Sequence, residues 1–342
     1  MGLSLAQLKM RRSGITATDI SAILGENPWH KPIDVWMDKM GYTPLEKPGG
    51  ERADMGNAFE SAVAQYYKRT QCPTGKHWRI YKPTVTIRSK QCEWALATPD
   101  RYVFENDAGV SFISASGLDA MSGKAHHLLE VKLVGPRAMD KWLLRNDEPE
   151  VECDADRLPT YVYCQVQWQM FVTEHYKRCD VAAQLGGTSF RVFNIDRDDA
   201  FLDHAVKTAE RFWARNVVGK ATPEPDGSES YKGFLNQTFP DAKVVDLVPA
   251  PAEAEQIARS YKDACALKAE ADEDRETCSQ QLKTIIGSGA GIEGSWGKAT
   301  WLTSRGQVDY KKLCEALKVP QGTIEKYRGT NRVLRVTMKG EK

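Results

Sequence analysis

Glu130 and Lys132, in the stretch LLEVKLV (128–134), stand two residues apart in a run of Leu and Val that otherwise reads as a buried strand. Side chains alternate across a strand, so both project from one face and set a carboxylate beside an ammonium on an apolar element. Burying such a pair without purpose is costly. Two further acids recur at the ends of expected core elements: Glu60 on a helix, and Asp100 in ATPD (97–100) at a strand bend. Hard oxygen ligands converging near a Lys are what a Mg²⁺ site needs, because this ion takes a few carboxylates, keeps several waters and accepts phosphate oxygens. The chemistry would be attack of a polarised water on a phosphate ester. Lys132 would orient or deprotonate that water and steady the developing charge. Taken singly, each acid reads equally well as a surface or capping group.

The elements that must position these residues follow from pattern. In the N-terminal stretch, Thr18 or Asp19 caps a helix over ISAILG, Gly25 stops it, and Pro32 opens a second helix over IDVWMDKM. Residues 54–70 carry Met55, Phe59, Val63, Tyr66 and Tyr67 at helical spacing, which predicts one buried face with Glu60 at its edge. Strands are expected over 80–90 and 93–105, and a third over 128–134 after a Gly- and Ser-rich interruption at 109–123. An apolar helix over 159–175, a hairpin from KRCDVAAQLGG to SFRVFNID, and an amphipathic helix over 198–220 complete the region. This order predicts an α/β or α+β fold around a mixed central sheet flanked by helices. Turn residues at 222–230 mark a boundary. The expected division is therefore a main domain over 1–225, a linker over 226–250 and a smaller α+β extension over 251–342, with a long polar helix at 250–287 and a strand–helix–strand unit after it.

Bulk properties limit what the site can mean. The chain has 342 residues, 41% hydrophobic and 27% charged, an ordinary globular balance. No stretch approaches the roughly 18 apolar residues of a membrane span. The opening MGLSLAQLKMRRSG lacks the apolar core of a signal peptide, so a cytoplasmic protein is expected. Eight cysteines occur without a C-x-x-C pair, which predicts reduced thiols rather than a disulfide frame. Net charge is +1, yet residues 1–90 hold 14 Lys and Arg against 8 Asp and Glu, so a local basic face is expected as readily as a set of solvated helix faces. GSWGKAT (294–300) lacks the first Gly of a phosphate-binding loop, Ile292 standing in its place, so no nucleotide-driven motor is expected. His126 and His127 are adjacent, point to opposite faces of a strand, and do not readily share one metal. Trp29, Trp36, Tyr163 and Trp168 could stack on bases, but their spacing among apolar residues reads as core.

Asp followed by Glu-X-Lys on adjoining strands resembles the signature of the PD-(D/E)XK nuclease superfamily, here TPD (98–100) and EVK (130–132). More narrowly, the chain is similar to the YqaJ-type viral recombinases and lambda-type exonucleases. The resemblance covers roughly residues 9–215 and rests on RRSGITATD (11–19), MGNAFE (55–60), ATPD (97–100), LEVK (129–132) and YCQVQWQMFVT (163–173), in the family's order. It implies a restriction-endonuclease-like core in which Asp100, Glu130 and the main-chain carbonyl of Val131 hold Mg²⁺, with Glu60 helping a second ion and Mn²⁺ as a substitute. Lys132 would act on the attacking water. A pocket for a 5′ phosphate would be formed by Arg11, Thr18, Thr98 and Gln165, aided by N–H groups of the helix that Thr18 opens. The interval from Asp100 to Glu130 is longer than in lambda-type enzymes, and Thr replaces Ser at 18 and 98.

The function so implied is 5′→3′ degradation of one strand of linear duplex DNA, leaving 3′ single strands for a single-strand-annealing protein. A phage- or prophage-encoded enzyme in a bacterial cytoplasm, assembled as a ring-shaped trimer, is the expected setting. Two alternatives stay open: a PD-(D/E)XK endonuclease of repair or restriction type, and a nonhydrolytic DNA-binding protein that kept the fold.

Overall fold

The computed structural model describes residues 5–45, 50–83, 85–105, 126–142, 158–240, 247, 249–306, 308–327 and 334–337. The packing of the chain separates two compact units, Met1–Phe234 and Leu235–Lys342. In the first, the helices are α1 (Leu5–Arg12), α2 (Ile20–Ile23), α3 (Pro32–Lys39) and α4 (Glu51–Gln71). Strands β1 (Trp78–Tyr81), β2 (Ile87–Arg88), β3 (Leu96–Ala97), β4 (Arg101–Glu105) and β5 (His127–Val134) follow. Helix α5 (Thr160–Thr173), hairpin β6 (Arg178–Leu185) and β7 (Ser189–Asp196), and α6 (Asp199–Phe212) complete the core, and α7 (Glu229–Thr238) crosses into the second unit.

One five-stranded sheet, in the order β1-β4-β5-β6-β7, organises the first unit. Its pairs are antiparallel except β5 with β6, which run parallel, so the fold is mixed α/β with helices on both faces. Alternation along β5 decides what faces what. Leu129 and Val131 pack under α4 with Val63, Ala64 and Tyr67, while Leu128 and Val134 pack under α5 with Val162, Val166 and Met170. Helix α5 is apolar on a second side as well, where Cys164, Trp168, Phe171 and Val172 meet Ile20, Ile23 and Leu202. A helix covered on two sides reads as apolar nearly all round, which is why its glutamines stand out.

The differences from the sequence reading have local causes. The strands expected at 80–90 and 93–105 each split in two, because Pro83 and Pro99 have no N–H to give a ladder. On α4 only Val63 and Tyr67 of the expected stripe are buried; Met55 and Phe59 are 51% and 46% exposed, since the sheet reaches only the C-terminal half of the helix. Part of the expected linker 226–250 is helical: Tyr231 of α7 is buried with Ile20 and Trp36 in the core. The interruption at 109–123 lies outside the described residues.

The second unit holds the long helix α8 (Ala254–Ile286), a hairpin of β8 (Gly291–Gly294) and β9 (Gly297–Thr300), and short helices α9 (Tyr310–Ala316) and α10 (Gln321–Lys326). The closing strand of the expected strand–helix–strand unit is not assigned, because much of the end of the chain lies outside the described residues. Among the described residues no helix is long and apolar enough to cross a membrane.

Candidate functional site

Strands β4 and β5 pair with Arg101 opposite Leu129 and Tyr102 opposite Leu128, and one step further along that register sets Asp100 across from Glu130. The backbone N–H of Val131 donates to Asp100 Oδ2 at 2.9 Å, which pins the acid to the neighbouring strand. Glu130 is 1% exposed, yet its carboxylate is richly served. Its Oε1 accepts from Lys132 Nζ at 2.5 Å and from Gln165 Nε2 at 2.6 Å, and its Oε2 accepts from Gln169 Nε2 at 2.8 Å. Lys132 Nζ donates again to Gln165 Oε1 at 2.9 Å. Gln165 and Gln169 reach one carboxylate because residues four apart share a helix face.

The charges perturb one another. Burial, and then the Glu130 carboxylate, push the Asp100 carboxyl up to about 7, against the pull of Lys132 and the Val131 N–H. Burial works against the Lys132 charge, but Glu130 and Asp100 outweigh it and hold its ammonium above the usual lysine range. The two carboxylates thus favour the charged, donating form of Lys132.

Glu60 lines the same cleft as Asp100 and Glu130, with its carboxylate engaged by two cations. Its carboxylate accepts from Arg101 Nη1, and from Lys82 Nζ at 3.0 Å. Arg101 also donates to the Asp100 carbonyl at 2.7 Å, so it ties the two acids together through the backbone. Among the described residues no three His, Cys, Asp or Glu side chains gather as a ligand cluster. Asp100 and Glu130, with Val131 between Glu130 and Lys132 in the same cleft, suit an ion satisfied by one or two carboxylates and several waters. Glu60 Oε1 is taken up by Arg101 and Lys82, while its Oε2 accepts from Lys82 at 3.1 Å.

The expected phosphate-binding residues are placed by the N-terminal segment. Ile15 N–H donates to the Trp94 carbonyl at 2.6 Å and the Ile15 carbonyl accepts from Leu96 N–H at 2.8 Å, which lays the segment alongside β3. Gly14 permits this approach, because a Cβ there would stand 2.5 Å from the Trp94 carbonyl oxygen. The turn is then held by Asp19, whose Oδ2 accepts from Thr16 N–H and hydroxyl, both at 2.8 Å, and pairs with Lys39 at 2.7 Å. Arg11 Nη2 donates to Thr18 Oγ1 at 2.8 Å. Thr98 shares a hydroxyl contact of 2.9 Å with Thr86, and Gln165 is committed to Glu130 and Lys132. Helix α2 is only four residues long, so it does not supply the expected helix N-terminus for an anion.

Arg11, Thr18, Glu60, Thr98, Asp100, Glu130, Val131, Lys132 and Gln165 all line one cleft of about 690 Å³. Gln169 and Lys82 line it too, and the sequence reading passed over both, as it passed over Arg101. For Gln169 a signal existed in its i+4 spacing from Gln165. For Arg101 and Lys82 none did, because their partner Glu60 is 41 and 22 residues away. His127 lies under α4, 2.8 Å from Tyr67 Oη, and is no part of the cleft.

The fold and the cleft together define an α/β protein with two carboxylates, an ammonium and an Arg–Thr pair at the end of a mixed sheet. Residues 7–176 match the YqaJ-like viral recombinase domain, and this part of the chain is a member of that family. The protein YqaJ of Bacillus subtilis (strain 168) is 26% identical over 309 residues, 89% of this chain and 85% of that protein. A protein of Acanthamoeba polyphaga mimivirus is 26% identical over 174 residues, 51% of this chain but 27% of that much longer protein. Among solved structures, an alkaline exonuclease from Laribacter hongkongensis superposes with a TM-score of 0.42 at 15% identity, covering 62% of this chain and 92% of that one. A phage-related exonuclease from Haemophilus somnus 129PT gives a TM-score of 0.36 at 13% identity over 65% and 97% of the two chains.

Proposed function

We propose that the chain is a metal-dependent deoxyribonuclease that degrades one strand of linear duplex DNA from its 5′ end, leaving a 3′ single strand for an annealing-type recombinase. The observation that carries this reading is the convergence of Asp100, Glu130 and Lys132 in the same cleft as Arg11 and Thr18. A divalent cation bound by Asp100 and Glu130 supplies Lewis-acid polarisation of the phosphate and a more acidic water. Lys132, held charged, orients the attacking water and stabilises negative charge as it develops on the phosphate. Gln165 fixes both Lys132 and Glu130, so the ammonium and the carboxylate keep their spacing. Arg11 and Thr18 offer a guanidinium fork and a hydroxyl to a terminal phosphate, and the distance from that pair to the acids would set where the strand is cut. A ring of three copies would keep such an enzyme on its substrate.

The test is digestion of linear duplex DNA, labelled at either end, with or without a 5′ phosphate, in Mg²⁺ or in EDTA, beside Lys132→Ala. Release of mononucleotides from phosphorylated 5′ ends, dependent on Mg²⁺ and reduced by at least about 100-fold in the variant, is expected. Cleavage of closed circles would replace the reading with an endonuclease, and DNA binding without any cleavage would replace it with a binding protein.

A further inference from the structure

Gln169 lies one helical turn beyond Gln165 on α5 and is 1% exposed, flanked by the fully buried Trp168 and Met170. Its Nε2 donates to Glu130 Oε2 at 2.8 Å, while among the described residues no donor reaches its own Oε1. The orientation of this amide is dictated by chemistry: turned over, it would set a carbonyl oxygen against a carboxylate. The unmatched acceptor is therefore built in. A buried position that served packing alone would favour an apolar side chain, because an amide oxygen stripped of water and left unpaired is unfavourable.

The acceptor count on Glu130 gives the vacancy a meaning. Each carboxylate oxygen offers about two acceptor positions. Oε1 uses both, on Lys132 and Gln165, whereas Oε2 uses one, on Gln169. Resting on the metal-dependent reading above, we propose that Gln169 is a positioning residue for a divalent cation: its amide nitrogen holds Glu130 with one acceptor position on Oε2 turned to the ion, and its Oε1 takes a hydrogen bond from the ion's hydration shell. Gln169 thus acts through Glu130 and through water, without touching the reacting phosphate.

The experiment is calorimetric titration of Mn²⁺ into the full chain, as wild type, Gln169→Met and Glu130→Gln, with thermal melts in EDTA and in Mn²⁺. Met is close to Gln in shape and removes both amide atoms. For Gln169→Met the Mn²⁺ dissociation constant is expected to rise about 10- to 100-fold, with the metal-free melting temperature equal to or above wild type because the unpaired acceptor is gone. The Mn²⁺ concentration for half-maximal cleavage should rise in parallel, with the rate largely regained at saturation. Gln169→Ala, read the same way, serves if the Met variant does not fold. Mn²⁺ affinity within threefold of wild type in a folded variant, or a lower melting temperature with affinity unchanged, would reduce Gln169 to packing and sink the inference while leaving the nuclease reading intact. Wild type binding no Mn²⁺ and indistinguishable from Glu130→Gln would overturn both.

Discussion

Two buried polar clusters sit back to back on β5, and they are built from similar parts. On the α5 face, Glu130 is surrounded by Lys132, Gln165 and Gln169. On the α4 face, Asp180 of β6 accepts from Tyr67 Oη at 2.5 Å and from Arg178 through Nε at 2.6 Å and Nη2 at 2.9 Å, with His127 Nε2 2.8 Å from the same Tyr67 hydroxyl. In the second cluster the acid is buried and fully paired. It is shared by a bidentate Arg and a Tyr, Trp78 and Leu129 pack around it, and Asp180 and His127 line none of the cleft. The first lines a cleft, holds an acceptor with no donor, and contains a carboxyl pushed up to about 7. Buried charge alone does not mark a site, because charge can serve to tie a helix to a sheet. An opening to solvent together with incomplete pairing does mark one.

Asp180→Ala is the largest way to break that comparison. It strips a buried acid from Arg178, Tyr67 and His127, and should cost about 3–5 kcal/mol in denaturant unfolding. Cleavage per folded molecule at low temperature should be nearly unchanged. Loss of cleavage with full stability would mean that the Asp180 cluster is part of the site.

A pH series of melts in EDTA sharpens the contrast, because the two clusters carry opposite signs. Burial lowers His127 to about 4, so the folded chain leaves it neutral while the unfolded chain begins to protonate it near the usual histidine value of 6.5. Taken alone, His127 makes stability fall as pH drops through that window, by about 3 kcal/mol. Asp100 acts in the opposite direction over nearly the same range, so the wild type should be nearly flat and His127→Gln should leave a fall as pH rises. Asp100 is raised, so the folded chain keeps its proton over a range where the unfolded chain has lost it. Its contribution is present below the unfolded value of 3.8 and is lost as pH rises to about 7. Asp100→Asn should expose the His127 slope, and a steep net slope of either sign in the wild type would refute the pairing of opposite effects.

The smallest expected effect is at the cleft's far end. Arg11→Ala removes the guanidinium that holds Thr18, and should lower the preference for phosphorylated over unphosphorylated 5′ ends about tenfold, near 1.4 kcal/mol. Equal rates on the two ends in the wild type would remove the phosphate role altogether.

Much of this protein was legible in the order of its residues. Periodicity located α4, α5, α6 and the β6–β7 hairpin, because a helix or strand that buries one face must repeat apolar residues at its own period. The placement of Glu130 and Lys132 on one face of β5 followed from alternation alone. Two prolines were enough to break the outer strands, although their weight was underestimated. What the sequence by itself determined, then, is the element types and the shared face of Glu130 and Lys132, which depend on neighbours within a few residues; Asp100, Glu60, Arg11 and Thr18 stood out only through the order of the motifs. What only the tertiary structure decided is who meets whom: Asp100 across from Glu130, Glu60 on Arg101 and Lys82, and Gln169 on the second oxygen of Glu130. These contacts join residues 22 to 41 positions apart, and nothing in local spacing chooses among the partners that sheet register and helix packing bring within reach.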